Sequence, residues 1–158
     1  MMKDCKLQQV EGSPGCFICD NNGTNPRSLH LKMFWDRDTE TLLAPCEPDR
    51  TWCGYSSVVH GGLVASVLDE AMAWAVKMKT GDWAFTADCN IRFKKAVEPG
   101  RKYVVKARVL EETSRKITTQ AEFLEDLSET ENVGCPRPLA KASAIFMPAK
   151  GRAVPNRD

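Results

Sequence analysis

One histidine, two glycines and two acids lie close enough along the chain to do chemistry together. His60 is followed at once by Gly61 and Gly62, and Asp69 and Glu70 come nine and ten positions after the histidine. A helix that starts on glycine leaves backbone N–H groups bare. With the positive end of the helix dipole, these attract a developing negative charge. A carboxylate two to three turns further along is placed to act as a base or a nucleophile. Together the two suit acyl transfer, with the bare N–H groups as an oxyanion hole. Each part also has a plainer reading: solvated helix acids, a tight glycine entry and a structural histidine.

The element that carries these residues is legible. Leu63, Val64, Val67, Leu68, Ala71, Met72, Ala75 and Val76 recur at the helical period and form a wide apolar stripe. Asp69 and Glu70 fall at opposite edges of that stripe, so the periodicity does not choose between them. Asp69 lies in a row of small residues with Ala65 and Ala73, which permits a close approach; Glu70 has Ser66 and Trp74 as neighbours. Around the helix, strands are expected. Leu29–Trp35 alternates, and so does Asp88–Phe93, with Cys89, Ile91 and Phe93 on one side. Tyr103–Leu110 alternates with Lys106 and Arg108 outward; Ile117, Thr119, Ala121 and Phe123 form the next inward set, and Ala140, Ala142, Ala144 and Phe146 the last. Pro45, Pro48 and Gly54 are expected to break the chain ahead of the helix, and the stretch from Glu125 to Pro138 reads as a loop. One helix followed by strands joined by short turns is an α+β pattern with an antiparallel sheet. The expected organisation is an irregular lead-in over 1–28, one domain over 29–148 and a flexible tail over 149–158.

Composition bounds the partners. The chain has 158 residues and a net charge of +1, so no global field points to nucleic acid or to a membrane surface. No apolar run approaches the roughly 18 residues that span a bilayer, and the N-terminus lacks a signal-peptide core. The expected location is cytoplasmic. The 7 cysteines are then expected as reduced thiols. Cys16 and Cys19 have metal-ligand spacing, and Cys46 and Cys53 could complete four thiolates, but the second gap is unlike the usual one. No metal is expected.

Several blocks carry a resemblance. HGGLVASVLDEAMA resembles the signature of hotdog-fold thioesterases, of the phenylacetate-pathway (PaaI-type) and 4-hydroxybenzoyl-CoA thioesterase-related group. CFICDNNGTNPRSLHL, WCGYSSVVHGG and FTADCNIRFKKAVEPG resemble flanking blocks of one subgroup, so the likeness runs from about Cys16 to Met147. It implies the hotdog fold, an antiparallel sheet wrapped around one long central helix. It implies a homodimer, or a dimer of dimers, with sites between chains. It also implies an acyl-CoA substrate and no cofactor beyond the coenzyme A of that substrate. By the family pattern the acid is Asp69, Gly61 gives the oxyanion N–H and Gly62 allows close approach. His60 orients the site, and Thr86 holds the water or the carboxylate. Asn90, Arg92, Lys94 and Lys95 are expected at the substrate, with Arg101 and Lys102 as further candidates for the coenzyme A phosphates. One departure is plain: relatives often have Asn or Gln shortly before the histidine, where this chain has Trp52, Cys53 and Gly54. A non-catalytic acyl-ligand-binding hotdog protein is therefore the alternative.

Overall fold

The computed structural model describes residues 7–128 and 134–150. In chain order the elements are β1 (Leu7–Val10), β2 (Met33–Asp36), β3 (Thr41–Cys46), a 3-10 turn (Arg50–Trp52), β4 (Cys53–Tyr55), β5 (Val58–Val59), α1 (Gly61–Thr80), β6 (Ala84–Phe93), β7 (Tyr103–Glu112), β8 (Ile117–Glu125) and β9 (Ala140–Pro148). Seven strands form one sheet in the order β1-β2-β3-β7-β8-β9-β6, and β4 and β5 make a separate two-stranded ribbon. Every pairing is antiparallel. The helix lies across one face of this sheet, packed on β3, β6, β7 and β8. This is the hotdog architecture.

The apolar stripe is what fixes α1. Val64, Val67, Leu68, Ala71, Met72, Ala75 and Val76 are all buried, as is Trp74. Burial of a side chain the size of Leu68 or Met72 is worth about 1.5–3 kcal/mol each. Facing them are the inward rows of the sheet: Tyr103, Val105 and Ala107 on β7, Ile117, Thr119, Ala121 and Phe123 on β8, and Ala140, Ala142, Ala144 and Phe146 on β9. The helix ends on Gly81, whose φ of 81° is left-handed and whose N–H reaches the Lys77 carbonyl at 2.9 Å. A residue with a Cβ is strained there. Among the described residues no helix is long and apolar enough to cross a membrane.

Several elements differ from the sequence expectation. The lead-in is not wholly irregular: Leu7–Val10 pairs with β2 and begins the sheet. The strand expected from Leu29 starts only at Met33, because His30 has a positive φ of 52° that no strand accommodates. Leu29 and Leu31 instead donate backbone hydrogen bonds to Phe17 and Ile18. Pro45, expected to break the chain, instead lies within Thr41–Cys46, which is β3, an interior strand. Its β2 neighbour pairs only Thr41, Leu42 and Leu43, so at Pro45 the ladder on that side has already ended, while Pro45 still pairs with Val104 of β7. Of the loop expected after β8 and of the C-terminal tail, residues 129–133 and 151–158 lie outside the described residues.

Candidate active site

The N-terminus of α1 is built around the His60 ring. His60 is the N-cap, and its Nδ1 accepts the Gly62 N–H at 2.8 Å. That bond needs a lone pair on Nδ1, so the neutral ring carries its proton on Nε2 and presents Nε2–H as a donor. The His60 N–H donates to the Trp52 carbonyl at 2.8 Å, which ties the helix start to the 3-10 turn before it. Two glycines make room for the imidazole. A Cβ on Gly54 would lie 2.9 Å from His60 Cδ2, and one on Gly62 would lie 2.9 Å from Nδ1. Gly54 is the residue sequence reasoning missed. It is six positions away in the chain and meets the ring only because β4 folds back on β5. Gly62 therefore spends its N–H on His60, whereas the Gly61 N–H has no hydrogen-bond partner among the described residues.

Asp69 is half-buried on the helix, and the Thr86 hydroxyl donates to its Oδ1 at 2.8 Å. The contact depends on a bulge in β6. The register against β9 runs Thr86–Phe146 and then Asp88–Ile145, so Ala87 is an extra residue. With that insertion Thr86, Ile91 and Phe93 all face the helix: Thr86 reaches Asp69, Ile91 packs on the core and the Phe93 ring would lie 3.7 Å from a Cβ on Gly61. Cys89 faces the same way, and its thiol is pushed up by partial burial and then by the Asp69 charge. Asn90 and Arg92 alternate with these residues and lie on the opposite face of β6.

Beside the helix start is a cleft of about 740 Å³ lined by Gly54, Tyr55, Val58, His60, Gly61, Phe93, Lys94 and Lys95 among others. This is in the range of small-molecule sites, and its mix of apolar wall and few polar groups is typical of them. Of the expected substrate residues, Lys94 and Lys95 line this cleft, while Asn90 and Arg92 do not. Arg101 is elsewhere, paired with Glu98 and Glu125, and Lys102 lines a separate hollow beside Cys46 and Asp126. Neither Asp69 nor Thr86 lines the cleft. Eight residues separate Gly61 from Asp69 on one helix, which is about 12 Å along its axis.

Glu70, the other helix acid, is held from the far side. Trp74 Nε1–H donates to its Oε1 at 3.1 Å and the Cys16 thiol donates to the same oxygen at 3.5 Å. Cys19 lies beside them, and burial, with the Glu70 charge next, pushes its thiol well above the ordinary range. The alternative grouping of four cysteines does not form: Cys46 is on β3 and Cys53 on β4, and neither joins Cys16 and Cys19. Cys46 is simply a core thiol, pushed up to about 12 by burial.

Residues 56–126 match the model of the thioesterase superfamily. No curated protein sequence matches the chain. Among solved structures, a thioesterase superfamily protein superposes with a TM-score of 0.67 at 17% identity, over 78% of this chain and 56% of its own, so this chain spans little more than half of that relative. Zebra fish thioesterase superfamily member 2 gives a TM-score of 0.61 at 13% identity, over 90% of this chain and 80% of its own. A hypothetical thioesterase from Streptococcus pneumoniae TIGR4, solved with coenzyme A, gives 0.60 at 14% identity, over 68% and 80%. The chain thus has the hotdog fold, and its residues 56–126 resemble the thioesterase superfamily.

Proposed function

We propose that the protein is an acyl-CoA thioesterase, hydrolysing the thioester of an acyl- or aryl-CoA to the free acid and coenzyme A at a site that two chains build together. The observation that carries this reading is the Gly61 N–H. It is unpartnered among the described residues, at the positive end of a 20-residue helix and in the wall of a cleft that also holds Lys94 and Lys95. The thioester carbonyl accepts that N–H. One such donor is worth about 10²–10³ in rate. The lysines suit the coenzyme A phosphates, and the solved relative with coenzyme A bound supports that ligand class.

Asp69 supplies the carboxylate. With Oδ1 held by Thr86, the other oxygen is left to take a proton from water as the water oxygen adds to the carbonyl carbon. The tetrahedral oxyanion then collapses, the C–S bond breaks, and the thiolate of coenzyme A recovers the proton from Asp69. In the variant route Asp69 attacks the carbonyl itself, the C–S bond breaks and coenzyme A leaves as thiolate. Water then cleaves the anhydride to the free acid and the Asp69 carboxylate, its proton going to the thiolate. Coenzyme A enters as part of the substrate, and the reading calls for no resident cofactor.

A separation of about 12 Å between Gly61 and Asp69 in one chain is too long for both to serve one carbonyl. Asp69 of a partner chain brought against the cleft closes the gap. The partner is a second copy, because β6 is an edge strand of 10 residues, exposed along nearly all its length and carrying no proline. Such an edge is a template for pairing. Joined edge to edge, two sheets form a homodimer, which can stack again as a dimer of dimers.

A panel of acyl-CoA substrates, read by release of free thiol, tests the function. Turnover is expected in the wild type and its near-complete loss in Asp69→Ala with the fold intact by circular dichroism. Tight binding of acyl-CoA with no thiol released from any panel member would instead establish the non-catalytic alternative.

A further inference from the structure

The contacts around Glu70 lie outside the proposed catalysis. Cys16, Cys19 and Glu70 each offer one ligand atom, and the three atoms lie within 4.8 Å of one another. The loop that presents the sulfurs is shaped for them. Cys16 N–H donates to Ser13 O at 3.1 Å and Asp20 N–H to Cys16 O at 3.2 Å, which closes a tight turn over the pair. The Ile18 N–H donates to Cys16 Sγ at 3.4 Å and the Ser13 N–H to Cys19 Sγ at 3.2 Å. These backbone N–H groups are aimed at both sulfurs and would orient them as ligands. Glu70 is oriented by Trp74, and a supported carboxylate is what a metal ligand requires. Cys19 is fully buried, while Cys16 and Glu70 are half-buried and leave the cluster open to an ion from solvent.

We propose that Cys16, Cys19 and Glu70 form a binding site for one divalent d¹⁰ cation, of which zinc is the natural member. Two sulfurs and one oxygen at this separation fit a tetrahedral ion with the fourth position taken by water. Binding releases the two thiol protons to solvent and forms two metal–sulfur bonds. Two thiolates and a carboxylate carry three negative charges, and the ion offsets two of them. The bound ion ties the loop ahead of β2 to the middle of α1, one residue from Asp69. The site stands independently of the thioesterase reading.

The test uses the full chain, reduced and stripped with chelator. It is titrated with zinc against a chromophoric competitor, and with cadmium to read thiolate-to-metal charge-transfer absorption. One equivalent per chain is expected, with charge-transfer absorption and a raised melting temperature. Affinity should fall at least about 10-fold in Cys16→Ser and in Glu70→Gln, following the usual cost of losing metal-site groups. Cys53→Ser, which leaves the cluster intact, should bind as the wild type does. Wild-type protein that takes up no zinc, or that keeps its affinity in both Cys16→Ser and Glu70→Gln, overturns the proposal. So does a Cys16–Cys19 disulfide that persists under reductant. The wild-type titration decides the matter even if a variant fails to fold.

Discussion

At the scale of residues, the account rests on one bare N–H and one ring held in place. Gly61 is the first residue of α1, a position where proline is well tolerated, and His60 before it has ψ of 128°, which a following proline accepts. Gly61→Pro should therefore keep the helix while deleting the donor, and kcat should fall by about 10²–10³. An unchanged kcat would remove Gly61 from the mechanism. The ring is a separate matter. His60→Ala loses the cap on Gly62 and should cost about 1 kcal/mol, or about 2–4 °C in Tm. Gly54→Ala should keep most of the stability but displace the imidazole, since its Cβ would sit 2.9 Å from Cδ2; lowered turnover with little change in Tm is the expected pair of results. The helical wheel left Asp69 and Glu70 equal. Their difference lies chiefly in tertiary partners: Thr86 for one and Cys16 for the other, with Trp74 one turn along the same helix also bonded to Glu70. Those partners are 17 and 54 positions away for Thr86–Asp69 and Cys16–Glu70. No local pattern reports such contacts.

At the scale of elements, periodicity read the helix and the inner rows of β7, β8 and β9 correctly, because each buries one face against another. It failed where the period is interrupted. The bulge at Ala87 shifts the alternation of β6, so the strand seemed to start at Asp88 when it begins at Ala84. A left-handed residue at His30 cuts β2 short, and Pro45 lies within β3 at a point where its β2 neighbour has already ended. The lead-in loop has its own lock. Asp20 is buried, and the backbone N–H groups of Asn25 and Asn22 donate to its carboxylate, the first and largest cause holding its pKa below the usual 3.8. A depressed folded pKa stabilises fully above the unfolded value and loses that contribution as pH falls through the folded one. Unfolding by denaturant at a series of pH values should thus show a loss on acidification below about pH 4, flattened in Asp20→Asn. An acid limb of the same slope in that variant would contradict the assignment.

At the scale of the whole molecule, the sheet and the long helix packed on it followed from the alternation and from the resemblance together, whereas the two-chain site is implied by the resemblance and not by the alternation. Distance supports the proposal of such a site, since Gly61 and Asp69 lie about 12 Å apart along one helix. Under that proposal the exposed β6 edge is where two sheets join. Mixing two inactive variants tests this most directly. Asp69→Ala keeps the Gly61 donor, and Gly61→Pro keeps the acid. After subunit exchange, half the dimers are mixed, and each mixed dimer holds one intact site out of two. The account predicts thioesterase activity returning to about a quarter of wild type in a symmetric dimer with two sites. Activity no higher than that of the parents, with mixed dimers demonstrated by mass, would contradict a site built across two chains.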